Sequence, residues 1–133
     1  MTGHGFLVYF LNEVFNLAQK LGMQMAFPHL IESVATEFKR ELQALYGDQF
    51  KGLVLFGSYA RGDYQAESDM DFAIVLKSSS IRPAAEIIRL APVSAELSLK
   101  HGVVVSVLPV SEQKLKTSGQ GVYEAIRQEG IRL

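Results

Sequence analysis

Gly57-Ser58-Tyr59-Ala60-Arg61-Gly62-Asp63-Tyr64-Gln65-Ala66-Glu67-Ser68-Asp69-Met70-Asp71 joins a glycine-serine turn to two carboxylates that alternate at the start of an apolar strand. In an extended strand successive side chains change faces, so Asp69 and Asp71 point to one side and Met70 to the other. The two acids then lie about 7 Å apart along the chain, given a rise of ~3.3 Å per residue. Such a pair repels unless a cation joins it, and Mg²⁺ accepts one or two carboxylates together with substrate phosphates. A shared divalent cation is the economical explanation.

The turn supplies the other half of the pattern. Leu53-Val54-Leu55-Phe56 reads as a short buried strand that stops at Gly57-Ser58. Glycine lets backbone come close to a ligand, and amides in a turn can face phosphate oxygens. Ser58 adds a hydroxyl and Arg61 a cation within reach of the same polyphosphate. Gly62 permits the turn back toward the acidic strand Met70 to Leu76. A Gly-Ser turn or an Asp-x-Asp strand edge alone is more often a plain turn or a solvated strand end; it is their combination at the mouths of neighbouring strands that favours a nucleotide site.

On Gly57-Ser58, Gly62, Ser68, Asp69 and Asp71 the chain resembles the DNA polymerase beta-like nucleotidyltransferase superfamily. Its length and its Gly-Ser-Tyr-Ala-Arg-Gly wording are similar to the minimal nucleotidyltransferases of bacteria and archaea. The likeness runs from about Ile31 to Leu133. It implies a polymerase-beta-like palm in which Gly57, Ser58, Arg61, Gly62 and Ser68 bind a nucleoside triphosphate, ATP favoured, while Asp69 and Asp71 are catalytic and ligate Mg²⁺. It further implies transfer of a nucleotidyl group, AMP favoured, to a hydroxyl acceptor, which in the relatives that work as antitoxins lies on a companion HEPN-type toxin. The chain departs from the pattern in one respect. Catalytic members carry a third carboxylate on a later strand, and the candidate strand here, Val103-Val104-Val105-Ser106-Val107-Leu108, has none. Glu96 before it and Glu112 after it could approach the pair only in a different register. The rival reading is therefore a weak or inactive member of the fold that works as an antitoxin or partner subunit by binding. A third is a structural domain with a vestigial acidic pair.

Composition bounds these readings. A chain of 133 residues, 48% hydrophobic and 20% charged, suits one compact domain. With 13 basic against 14 acidic residues there is no global basic field, and no local basic run, to favour nucleic acid. The absence of cysteine excludes disulfides and thiolate chemistry and is compatible with a cytoplasmic location. Phe6 to Leu11 is too short to span a bilayer, and no basic residue precedes it as in a signal peptide. Continued to Leu21, it reads as an amphipathic helix ending at Gly22 that must be covered by this domain, a second copy or a partner. Residues 1–25 are accordingly expected to form an N-terminal extension and 26–133 the nucleotidyltransferase domain.

Along that domain, Leu30, Ile31, Val34, Phe38, Leu42 and Leu45 recur at helical spacing until Tyr46-Gly47-Asp48. Pro83 opens a helix that Pro92 should kink or split, His101-Gly102 ends it, and a strand is expected over 103–109. A short helix begins at Ser111-Glu112, and the last spans Val122 to Glu129, ended by Gly130. Strands separated by helices predict an α/β fold with a small mixed or parallel sheet of three to four strands covered by helices. The scattered His4, His29 and His101 follow no metal spacing. Tyr59 and Tyr64 either stack on a base or pack ordinarily. Arg82 and Arg89 reach phosphates or a partner, or simply face solvent.

Overall fold

The computed structural model describes residues 27–133 and, before them, Gly5, Phe6, Tyr9, Phe10, Glu13, Val14 and Leu17, which are helical. The expected end of the N-terminal helix at Gly22 lies outside the described residues.

Helix α1 (Phe27–Tyr46) buries Ile31, Val34, Ala35, Phe38 and Leu42. Their spacing of three, one, three and four residues makes a single stripe, and the stripe faces the sheet. A 3-10 turn, Gly47–Gln49, feeds β1 (Phe50–Phe56), which is followed by the four-residue α2 (Ser58–Arg61) and then β2 (Met70–Leu76). Helix α3 (Pro83–His101) crosses to β3 (Val105–Ser111); α4 (Glu112–Thr117), α5 (Gly121–Glu129) and β4 (Ile131–Arg132) complete the order. The sheet runs β3-β2-β1-β4, with β2 and β3 parallel and the other two pairs antiparallel. This is the mixed, helix-covered α/β sheet of four strands.

Both faces of the sheet are covered, which is why residues 53–56 of β1 and 72–76 of β2 read as unbroken apolar runs. On one face Leu53, Leu55, Met70, Phe72, Ile74 and Val105 pack with α1 and α3. The rings of Phe38 and Phe72 meet edge to face there at 5.5 Å. On the other face Val54, Ala73, Val75 and Val110 pack with Ile126 of α5. Glu37 of α1 pairs with Lys100 at 2.9 Å and His101 at 3.3 Å in the last turn of α3, joining the two helices, and Lys100 holds the Glu37 carboxyl below the usual range.

Two expectations are corrected. Pro92 does not split its helix: α3 is a single helix from Pro83 to His101. An interior proline costs about 3 kcal/mol, and burial of Leu90 and Leu97, on either side of it, offsets a comparable amount at about 1.5–3 kcal/mol each. The last core strand starts at Val105, two residues later than expected. Gly102 caps α3 in the left-handed region, φ +68°, and Val103-Val104 are used to turn the chain into the sheet. The strand also contains Pro109, opposite Ile74. As an edge strand, β3 accepts the missing N–H.

Candidate functional site

At the end of β1 the backbone makes a turn that only glycine suits. Gly57 has φ +75°, and a β-carbon there would collide with a carboxylate oxygen of Asp71. Positive φ and close approach are independent reasons for glycine at this point. The Gly57 carbonyl accepts the N–H groups of Ala60 and Arg61 at 3.1 and 3.0 Å, closing α2. Gly62 ends α2 at φ +87°, its N–H bonded to the Ser58 carbonyl at 2.8 Å. The ring of Phe10 lies so close to Gly62 that a β-carbon there would stand 2.7 Å from it. The loop that returns to β2 is shaped by Ser68, whose hydroxyl accepts the Gln65 N–H at 2.7 Å. Ser68 thus serves the turn that presents Asp69.

Register brings the rest together. Asp71 lies opposite Phe56 of β1 on one side and Ser106 of β3 on the other. Its face of the sheet is the one α5 partly covers, since Ala73 and Val75, two and four residues on, belong to that core. Asp69 stands just before the strand and is exposed, whereas Asp71 is half-buried. Burial pushes the Asp71 carboxyl up and the neighbouring Asp69 charge adds to it; the Ser106 hydroxyl and the Arg61 charge work the other way. A carboxylate that is short of compensation, beside another and against a glycine turn, is a cation-seeking arrangement. Among the described residues no group of three or more His, Cys, Asp or Glu side chains could hold a metal ion. Asp69 and Asp71 offer carboxylate oxygens, the donor type that hard cations accept together with phosphate and water oxygens.

The other expected residues fall as follows. Arg61 is near the pair but engaged elsewhere: its Nε donates to Asp63 at 3.2 Å and its Nη1 to Glu129 at 3.3 Å. Tyr59 is buried and stacks on Tyr64, ring centroids 4.6 Å apart, so their contact is internal packing. Burial pushes both phenols up. Glu96 is exposed on α3. Glu112 follows Ser111, which pairs with Leu76 at the far end of β2. That is about 17 Å along the strand from Ser106. Neither glutamate completes the pair, and the position beside Asp71 on β3 belongs to Ser106. Ser106 and Glu129 were not legible as site residues in sequence: the first needs the register of β3, the second the pairing of β4 with β1.

Comparison with known proteins bears on the family and the fold. The sequence model of the family described as "Nucleotidyltransferase domain" matches residues 35–133. A Methanocaldococcus jannaschii protein, named provisionally as a protein adenylyltransferase, is 35% identical over 89 residues, 66% of this chain and 86% of its own length. A second protein of that organism, with the same provisional name, is 37% identical over 82 residues, 62% of this chain and 75% of its own. A crystal structure described as a toxin-antitoxin with AMP-PNP superposes with a TM-score of 0.50 at 17% identity, over 71% of this chain and 68% of that one. At that identity the likeness is one of fold.

Proposed function

The chain belongs to the nucleotidyltransferase domain family, and from that premise we propose that it is a Mg²⁺-dependent nucleotidyltransferase that moves AMP from ATP to a hydroxyl of a partner protein. The observation that carries the proposal is the Asp71 carboxylate in β2 set against the Gly57 turn, with Asp69 just before the strand and close enough for its charge to be felt there. Asp69 and Asp71 would hold the metal. When bound, Mg²⁺ would neutralise charge on the phosphates and orient them for in-line displacement. Gly57 and Ser58 cradle the triphosphate, the glycine because nothing larger leaves room, the serine through its hydroxyl. Arg61, with Gly62 and Ser68 shaping the loop behind it, offers a guanidinium to the same phosphates. In the transfer the acceptor oxygen bonds to the α-phosphorus, the bond to the bridging oxygen breaks, pyrophosphate leaves, and the acceptor proton passes to water.

The provisional naming of the relatives as protein adenylyltransferases supports AMP and a protein acceptor. We place the acceptor on a partner, of which a helical HEPN-type toxin is the candidate, or on a second copy. Residues 26–133 would be the catalytic domain and 1–25 an extension to it, working in the cytoplasm; no helix among the described residues is long and apolar enough to cross a membrane.

Ser106 favours a second reading. It puts a neutral hydroxyl at the register position next to Asp71, so a second metal ion lacks an anionic ligand and the acceptor lacks a carboxylate base. The protein would then bind Mg-nucleotide and act on its partner by contact, turning over slowly or not at all.

Thermal unfolding with ATP, GTP, CTP and UTP, each with and without Mg²⁺, tests the site, because saturation at a hundred times Kd stabilises by about 2.7 kcal/mol. A Mg-dependent shift is expected with ATP and is expected to vanish in Asp69→Asn/Asp71→Asn. A double variant that binds as well as the parent would overturn the assignment. Pyrophosphate release then separates the two readings.

A further inference from the structure

Arg61 lies close enough to Asp71 for its charge to be felt there, and it is paired with two other carboxylates. Its Nη1 faces both oxygens of Glu129, at 3.3 and 3.4 Å, and its Nε meets Asp63 at 3.2 Å. No ion pair joins it to Asp69 or Asp71 among the described residues, although its charge is felt at Asp71. We propose that Glu129 is a positioning residue that holds Arg61 back from Asp69 and Asp71, keeping the pair open to a divalent cation. The inference rests on the reading of Asp69 and Asp71 as metal ligands.

The competition follows from charge and reach. Two adjacent carboxylates attract a flexible guanidinium, and a bidentate arginine would occupy the oxygens a metal needs. Asp63 is a poor restraint, being 64% exposed and only two residues away on the same loop. Glu129 is different. Its side chain is 23% exposed and it comes from 68 residues later in the chain.

Backbone fixes Glu129 where it is. Leu55 and Val54 of β1 pair with Ile131 and Arg132, two and three residues beyond it. The intervening Gly130 donates its N–H to the Ile126 carbonyl at 2.9 Å and sits so tightly that a β-carbon would strike that carbonyl and approach Val54 Cγ1 to 2.6 Å. The last turn of α5 is thereby pinned against β1, one strand from Asp71, with its carboxylate aimed at Arg61. For stability alone a half-exposed ion pair of this kind contributes little. Its use lies in which carboxylate the arginine is given.

The test is Mn²⁺ binding to the full chain without nucleotide, read from the electron paramagnetic resonance of free Mn²⁺, for the parent, Glu129→Gln, Arg61→Gln and the double variant. Glu129→Gln is expected to weaken binding by about fivefold, the upper order of a partly exposed ion pair. In the Arg61→Gln background the same change is expected to cost nothing. An equal loss in both backgrounds would mean that Glu129 acts only as one more negative charge, and no loss in either would mean that it does not act at all; both overturn the proposal. Asp69→Asn/Asp71→Asn tests the underlying site separately: if it binds Mn²⁺ like the parent, the metal reading fails. A crystal structure of the metal-free Glu129→Gln variant decides the inference even then. Arg61 is expected within 4 Å of Asp69 or Asp71, and a guanidinium that stays beside Asp63 refutes it.

Discussion

The surroundings of Asp71 disfavour its charged form, chiefly through burial, and this has a measurable sign. Burial and Asp69 raise its pKa above the unfolded value. A carboxyl raised in this way contributes stability that is full below its unfolded pKa and lost as pH rises through its folded one. In EDTA, Asp71→Asn is therefore expected to be more stable than the parent at pH 7, with the advantage disappearing as pH falls below the folded pKa of Asp71; urea unfolding from pH 4 to 8 checks it. Gly57→Ala places a side chain at φ +75° and against that same carboxylate. It should cost about 1–3 kcal/mol in backbone strain and abolish Mg-nucleotide binding, read by thermal unfolding with and without MgATP. Ser106→Asp supplies the carboxylate that β3 lacks. It is expected to destabilise the metal-free protein at neutral pH, to tighten divalent binding, and to raise pyrophosphate release.

Among the elements, sequence was most legible where periodicity was long and doubly supported. The stripe of α1 and the apolar run over 72–76 of β2 fall where spacing put them, because each is decided by burial on a face that its own residues specify. Pro92 and β3 were less legible for a shared reason: a proline rule and an apolar run are local statements, whereas the outcome was set by what α3 packs against and by where Gly102 releases the chain. The start of α4 was legible because its signal is chemical. Ser111 caps it, its hydroxyl accepting the Lys114 N–H at 3.0 Å. Ser111→Ala should cost about 1 kcal/mol in urea unfolding. Because Ser111 pairs with Leu76, at the end of β2 away from Asp71, nucleotide binding should be unchanged.

At the scale of the whole molecule the candidate site divides into a part written locally and a part assembled by topology. Gly57, Ser58, Asp69 and Asp71 lie within fifteen consecutive residues and could be read together. Ser106 and Glu129 come from β3 and the end of α5, and only the order β3-β2-β1-β4 brings them to either side of the turn and its strand. Gly130→Ala, which would push the end of α5 off β1, is thus expected to lower stability and weaken Mn²⁺ binding together, while Ser111→Ala lowers stability alone. The separation of 68 residues between Arg61 and Glu129 also orders events in time. During synthesis the ribosome releases the glycine turn, the arginine and both aspartates well before the glutamate that restrains the arginine. If Glu129 restrains Arg61 as proposed, a nascent chain would present Arg61, Asp69 and Asp71 without that restraint, and the arginine could serve as their internal counter-ion until the helix that carries Glu129 arrives.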